Sequence, residues 1–304
     1  MILKGQNFRI YQYDSQGQYK VIAQASSCTA TLTGNAENAS HKDIVGNATM
    51  NSVVSKGWQV QVESLNVLDM VSLLTQIKSR SKFQIEFDEA STTDNQTELK
   101  AAFARRGDAY ISDITFAFNN RENSTKSITF MGTGALSKVP SQTPGTQVIP
   151  VSTSLTKGQF VRLFLGNDAS ATPSKVIGSA VQLQFHISVA MENATTKDTE
   201  GDWIINEPMD LSYDITSNAL VRGGDNITSG VEAQDLASIE DIFEASTPVK
   251  FEIANVSGAN QRTKGSVLVS GLVTITQLTV TASNRQNATY DTTLTNYGEY
   301  AVGA

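Results

Sequence analysis

Few residues in this chain have both the type and the spacing to do chemistry. It contains two histidines, His41 and His186, and one cysteine, Cys28. A zinc site draws three or four Cys, His, Asp or Glu ligands together, usually at short spacings, and neither histidine has such a set nearby. His186 alternates with Phe185 and Ile187, the setting of a strand residue rather than a general base. No nucleophile elbow, Ser-His-Asp order or Gly-rich phosphate loop occurs. Gly223-Gly224-Asp225-Asn226 reads as turn chemistry. Arg106-Gly107-Asp108 spells an integrin-type tripeptide, but Gly107 matches Gly271 just ahead of a strand pattern, so a turn is expected there. Sequons such as those at Asn47, Asn123 and Asn287 arise by chance in a chain this rich in Asn, Ser and Thr. No residue takes a catalytic role, and no metal or cofactor is expected.

The stronger pattern is repetition. Lys4-Gly5-Gln6, two variable positions and Arg9-Ile10-Tyr11 return as Lys157-Gly158-Gln159, two positions and Arg162-Leu163-Phe164. Glu37-Asn38-Ala39-Ser40-His41-Lys42-Asp43 is answered by Glu192-Asn193-Ala194-Thr195-Thr196-Lys197-Asp198, and Asn120-Arg121-Glu122-Asn123 by Asn284-Arg285-Gln286-Asn287. Order is kept, so a tandem duplication is expected: one unit at 1–136, a linker at 137–156 containing Pro140, Pro144 and Pro150, and a second unit at 157–304.

Composition narrows the class. At 304 residues and 39% hydrophobic, the chain can bury two ordinary cores. The net charge of −7, without a basic run, argues against a nucleic-acid grip. No apolar stretch is long enough to span a membrane as a helix, and no apolar run follows Lys4 as a signal peptide requires. With one cysteine, which matches Leu183, no internal disulfide can form, as suits a reducing cytoplasm.

The elements follow from periodicity. Phe8, Ile10 and Tyr13 make an imperfect alternation, repeated by Val161, Leu163 and Leu165. Trp58, Val60 and Val62 alternate with Gln59, Gln61 and Glu63, as do Leu211, Tyr213 and Ile215 with their polar neighbours. Phe83, Ile85 and Phe87 are echoed by Phe251 and Ile253, and Ile114, Phe116 and Phe118 by Leu278 and Val280. Period-2 patterns with Gln, Glu, Ser and Thr on the alternate positions predict antiparallel strands with one buried and one wet face. Met70, Leu73, Leu74 and Ile77 form a helical stripe, matched by Leu236, Ile239, Ile242 and Phe243 ahead of Pro248, predicting helices at 67–78 and 235–245. The fold class is therefore mainly β: two tandem antiparallel sandwiches or barrels, each with one packed helix. Long polar stretches at 34–56 and 190–207 are expected to be loops that order only on assembly, because they lack apolar anchors. Their repeated Lys-Asp pairs are either solvated loop charges or an assembly contact.

The order of an opening Gly-containing strand, Lys20-Val21-Ile22-Ala23, Ser26-Ser27-Cys28-Thr29, the His41-Lys42-Asp43 loop with Gly46 and the strand at 58–63 resembles the tail tube (major tail) proteins of long-tailed bacteriophages. The second unit has Thr196-Lys197-Asp198 with Gly201 at the loop, but Leu183 and Gln184 where the first has Cys28 and Thr29. The resemblance implies a structural virion protein, not an enzyme, made in the host bacterial cytoplasm and ending in the virion tail. It implies sheets joined into a tube wall, rings stacked through the long loops, and three two-unit chains closing a pseudo-sixfold ring. Glu37, Asn38, Lys42, Asp43, Glu192, Asn193, Lys197 and Asp198 would make the ring-stacking contacts. Expected partners are further copies of the chain, the tape measure protein and the tail terminator and distal tail proteins. DNA would pass through the lumen without specific binding, and no membrane is involved. The competing readings are a tube of a related contractile injection system and a tandem β-sandwich adhesive or surface module.

Overall fold

The computed structural model describes residues 8–13, 19–21, 25–40, 49–65, 70–90, 99–138, 156–199, 201–221, 233–257 and 263–303. Of the proposed linker, 139–155 lies outside these, as do His41, Lys42 and Asp43.

Strands dominate, as the alternation requires. The first half runs β1 (Phe8–Tyr13), β2 (Tyr19–Val21), β3 (Ala25–Asn38), β4 (Asn51–Ser64), α1 (Met70–Lys78), β5 (Phe83–Ala90), β6 (Leu99–Asn119) and β7 (Thr125–Lys138). The second runs β8 (Val161–Leu165), β9 (Lys175–Ile177), β10 (Ala180–Asn193), β11 (Asn206–Leu220), the short β12 (Ala233–Gln234), α2 (Leu236–Ala245), β13 (Val249–Ser257), β14 (Thr263–Thr281), β15 (Thr289–Asn296) and β16 (Ala301–Val302).

Strand pairing repeats along with element order, apart from the short β12 and β16, which have no counterpart among the described residues of the first half. The first half pairs antiparallel as β2-β1-β5-β6-β7-β4-β3. The second pairs antiparallel as β9-β8-β13-β14-β15-β11-β10. Register agrees residue by residue. Ala30 faces Val60 and Phe185 faces Ile215, where 185 − 30 and 215 − 60 both give 155. Ile114 faces Ile128 and Leu278 faces Thr292, where 278 − 114 and 292 − 128 both give 164.

The halves are not separate sandwiches. β10 pairs with β6 from Gln182 opposite Asn119 to Ser188 opposite Asp113, making one continuous sheet of sixteen strands. Its central run is β14-β15-β11-β10-β6-β7-β4-β3, eight strands, each bonded to the next. One face of the run carries the core: Trp58, Val60, Val62, Ile114, Phe116, Phe185, Ile187, Tyr213, Ile215 and Leu294 are all buried. Burying an aliphatic or aromatic side chain stabilises by about 1.5–3 kcal/mol. Phe116, Ile114, Phe185 and Ile187 at the seam therefore outweigh the hydrogen bonds there, at about 1 kcal/mol each.

The helices lie on that apolar side. Met70, Leu73, Leu74 and Ile77 are buried, as their spacing predicts, and α1 leans on the second half: Tyr300 Oη donates to the Leu74 carbonyl at 2.8 Å. In α2 only Ile239 and Ile242 are buried, and Phe243 is 39% exposed, against expectation. The helix α2 has no following half to lean on. Asp235 caps its start by accepting from Ser238 N–H at 2.9 Å, and Ser246, in the left-handed region, ends it two residues before Pro248.

Other expectations are corrected. Gly107 lies inside β6 rather than in a turn, because a Cβ there would enter the indole of Trp58; Gly271 stands likewise beneath Tyr213. Arg106 pairs with Glu86 at 2.7 Å and Asp108 with Lys82 at 2.9 Å, so the tripeptide is built into the sheet. Glu86 and Glu252, expected on a wet face, are buried against Arg106 and Lys264. Desolvation raises the pKa of Glu86, with the Arg106 guanidinium opposing it. The polar stretches are largely paired strand, since β3 runs to Asn38, β4 starts at Asn51, β10 runs to Asn193 and β11 starts at Asn206. Antiparallel hydrogen bonds hold these arms without any apolar alternation.

Candidate functional site

The second face of the eight-strand run has a consistent chemistry. β3 and β4 place Ser27, Thr29, Thr31, Gln59, Gln61 and Glu63 on it, and β11, β14 and β15 add Asp214, Thr216, Gln277, Thr279, Asp291 and Thr293. Side chains bridge the strands across it: Ser27 Oγ donates to Glu63 at 2.9 Å, and Asn218 Nδ2 to Asp291 at 2.7 Å. The rows named here carry carboxylates and no Lys or Arg. Such a face holds water and repels polyanions.

His186 sits on this face at the seam. Its Nε2 lies 2.7 Å from Asp113 of β6 and its Nδ1 2.7 Å from Asp214 of β11. As imidazolium it donates to both, tying three strands across the joint between halves. The hydrogen bond to Asp113 is the largest cause that lifts its pKa from 6.5 to about 9; the Asp214 bond adds to it, while partial burial opposes. With both ring nitrogens taken by carboxylates, the imidazole is a structural cation rather than a base. Among the described residues no group of His, Cys, Asp and Glu is arranged to hold a metal.

A second contact reinforces the seam. The turn after β10 folds back over the rim of the first half. Lys56 N–H donates to the Asp202 carbonyl at 2.6 Å and Ile204 N–H to the Lys56 carbonyl at 2.8 Å. Gly134 N–H donates to the Ile204 carbonyl at 2.9 Å, and Asn206 Nδ2 to the Gly132 carbonyl at 2.7 Å. Lys56 Nζ pairs with Asp202 at 3.1 Å. The 190–207 segment is thus already anchored within the single chain, contrary to the expected ordering only on assembly.

Among the described residues the run ends at two unpaired edges: β3 pairs only with β4, and β14 beyond Val273 has β15 on one side and no strand on the other. Both edges expose apolar side chains where the seam buries them. Leu32 is 59% exposed and Val280 49%, whereas their counterparts Ile187 and Phe116 are fully buried. The expected inward face of Val280 is therefore open, because the strand that covers Phe116 has no equivalent beside it.

Of the residues singled out for stacking, Lys42 and Asp43 lie outside the described residues, and the others lie at or just beyond the ends of β3 and β10. Glu37 and Asn38 end β3, and Glu192 and Asn193 end β10. The two asparagines shape turns: Asn38 Oδ1 accepts from Ser40 N–H at 2.8 Å and Asn193 Oδ1 from Thr195 N–H at 3.0 Å. Lys197 and Asp198 are exposed in the turn beyond β10 and make no ion pair with a described residue. Sequence reasoning missed Asp113, Asp214 and Asn206, whose partners lie 28 to 74 residues away.

No protein-family model matches the chain, and no curated protein does. Solved structures give partial likenesses. A chain from the virion of a native gene transfer agent particle is 15% identical over 49% of this chain and 99% of its own length, with a TM-score of 0.36. The tail of an empty gene transfer agent particle gives 14% identity, 49% and 99% coverage and a TM-score of 0.37. A subunit of the SPP1 tail tube gives 16% identity over 48% of this chain and 78% of that one, with a TM-score of 0.36.

Proposed function

We propose that this chain is a structural subunit that self-assembles into the rings of a bacteriophage tail tube, a conduit for DNA. The observation that carries this reading is the β10–β6 seam combined with free edges on their counterparts, β3 and β14. Apart from the short β12 and β16, each half has the same element order, so a tandem duplication with units at 1–136 and 157–304 accounts for the repeat. The β10 of the second unit pairs with the β6 of the first; the unused edges are the β3 of the first and the β14 of the second. These differ, so they join head to tail, and a head-to-tail contact closes into a ring or runs on as a filament.

Carrying the seam register across the chain boundary sets Leu32 opposite Leu278 and Ala30 opposite Val280. The joint then buries apolar side chains and satisfies both edges, which otherwise invite indiscriminate pairing. Three chains supply three runs of eight strands. Twenty-four strands spaced about 4.8 Å apart and tilted about 40° give a backbone diameter of roughly 48 Å. The apolar face and its helices lie outside, and the hydroxyl- and carboxylate-rich face lines the lumen, where DNA slides without being held. The segments bearing Glu37, Asn38, Lys42, Asp43, Glu192, Asn193, Lys197 and Asp198 would meet the next ring. The tape measure, tail terminator and distal tail proteins remain the partners that this role requires.

The test is native mass measurement and negative-stain imaging of the purified chain with concentration. Rings of three chains and tubes are expected. Leu32→Asp should leave the monomer folded, because the side chain is exposed, and should abolish rings. A wild-type chain that stays monomeric at high concentration, or rings of six chains, would contradict the reading.

A further inference from the structure

The clasp that the second arm makes on the first half has a counterpart in which every participant is present except the receiving chain. The two arms are built alike. Ala39 N–H donates to the Met50 carbonyl at 2.7 Å, as Ala194 N–H does to Ile205 at 2.8 Å. Met50 N–H donates to Ser40 Oγ at 2.9 Å, as Ile205 N–H does to Thr195 Oγ1. Here 50 − 39 and 205 − 194 are both 11, so Thr49 corresponds to Ile204 and Asn51 to Asn206. The rims are also alike. Gly134 in the first half and Gly298 in the second both have left-handed backbones, with φ of 74° and 87°, and open space where a Cβ would be.

We infer that Thr49 and Asn51 of one chain clasp the Asn296–Gly298 rim of the next chain, repeating the contact that Ile204 and Asn206 make on Gly132–Gly134. The occupant is a second copy of this chain. The Thr49 carbonyl accepts from Gly298 N–H, and the Asn51 side-chain amide donates to the Asn296 carbonyl. Thr49 and Asn51 are exposed in the single chain, as are Tyr297 at 56% on the receiving rim and Met50 at 47% and Val53 at 50% on the arm. In the within-chain clasp the equivalent rim is covered: Ile204 reaches over Gly57, and Trp203 packs against the core. The side chains left open on the second rim and the first arm are those that a matching contact would cover. The positive φ at Gly298 fits the same explanation, since it matches that of Gly134, whose N–H donates to the Ile204 carbonyl.

This inference rests on the ring reading, and the experiment separates the two. Amide hydrogen exchange is followed at Gly134 and Gly298 in monomer and in assembled chain, together with the assembly midpoint of Asn51→Ala. Gly134 should be protected in both states, and Gly298 only after assembly. Losing one amide hydrogen bond should raise the assembly midpoint about three- to tenfold, with an unchanged circular dichroism spectrum of the monomer. Assembled chain in which Gly298 still exchanges freely, or Asn51→Ala that assembles at the wild-type midpoint, overturns the clasp and leaves the ring reading standing. A chain that never assembles overturns both.

Discussion

Raising the pH through 9 should loosen the joint between the two halves, because it removes the proton that His186 shares with Asp113 and Asp214. The folded pKa of about 9 lies above the ordinary 6.5, so the stabilisation is complete below about pH 6.5 and is lost as pH rises through about 9. Taken at face value, that difference corresponds to about 3 kcal/mol. The side chains are 32%, 41% and 38% exposed, and solvent screening reduces the working figure to about 1 kcal/mol. Urea unfolding of wild type and His186→Gln, at several pH values between about 6 and 10, isolates this contribution, since every other titrating group is common to both proteins. With an m-value of about 3 kcal/mol/M, the midpoints should differ by about 0.3 M at low pH and converge above pH 9. A gap that does not change with pH would show that the imidazole acts only through packing or neutral hydrogen bonds, and would refute the account of the seam. At the open edges, Thr31, Gln59 and Gln277 stand in the places of His186, Asp214 and Asp113. The joint between chains should therefore show no such step, and ring dissociation should be flat over the same range.

Gly132→Ala should destabilise the first half by about 1–3 kcal/mol, because the added Cβ falls within the indole ring of Trp58; a lowered melting temperature checks it. Asp235→Ala removes the side-chain acceptor at the start of α2 and should cost about 1 kcal/mol by denaturant unfolding. Reversing charge at both Lys42 and Lys197 should leave the unfolding curve unchanged, since Lys197 is exposed, Lys42 lies in the matching polar stretch of sequence, and charges of that kind contribute little. Tube elongation should fail or become strongly salt-dependent; tubes of normal length at low salt would reduce these lysines to solvated charges.

Much of the local structure was legible in the residues. Trp58, Val60 and Val62, or Ile114, Phe116 and Phe118, declare a strand and its inner face through period two alone. The Met70, Leu73, Leu74 and Ile77 stripe declares a helix through the period of 3.6. Asn38 and Asn193 were expected only as stacking contacts; that each shapes a turn was decided by the backbone N–H two residues on, which its amide oxygen accepts. Alternation says which way a side chain points but not which strand lies beside it, since edge-to-edge pairing is made by backbone groups common to every residue. Hence, although the resemblance implied joined sheets, periodicity did not show that β10 and β6 make the seam, or that His186, Asp113 and Asp214 meet there. The burial of Glu86 depended on Arg106 arriving from the neighbouring strand, and the exposure of Val280 on no strand arriving among the described residues. The arms show the same division. Their polar sequence determined that they bury nothing by themselves, whereas tertiary structure decided that one of them, through Asn206, closes onto Gly132 of its own chain. Local periodicity is a property of a segment; adjacency belongs to the folded sheet.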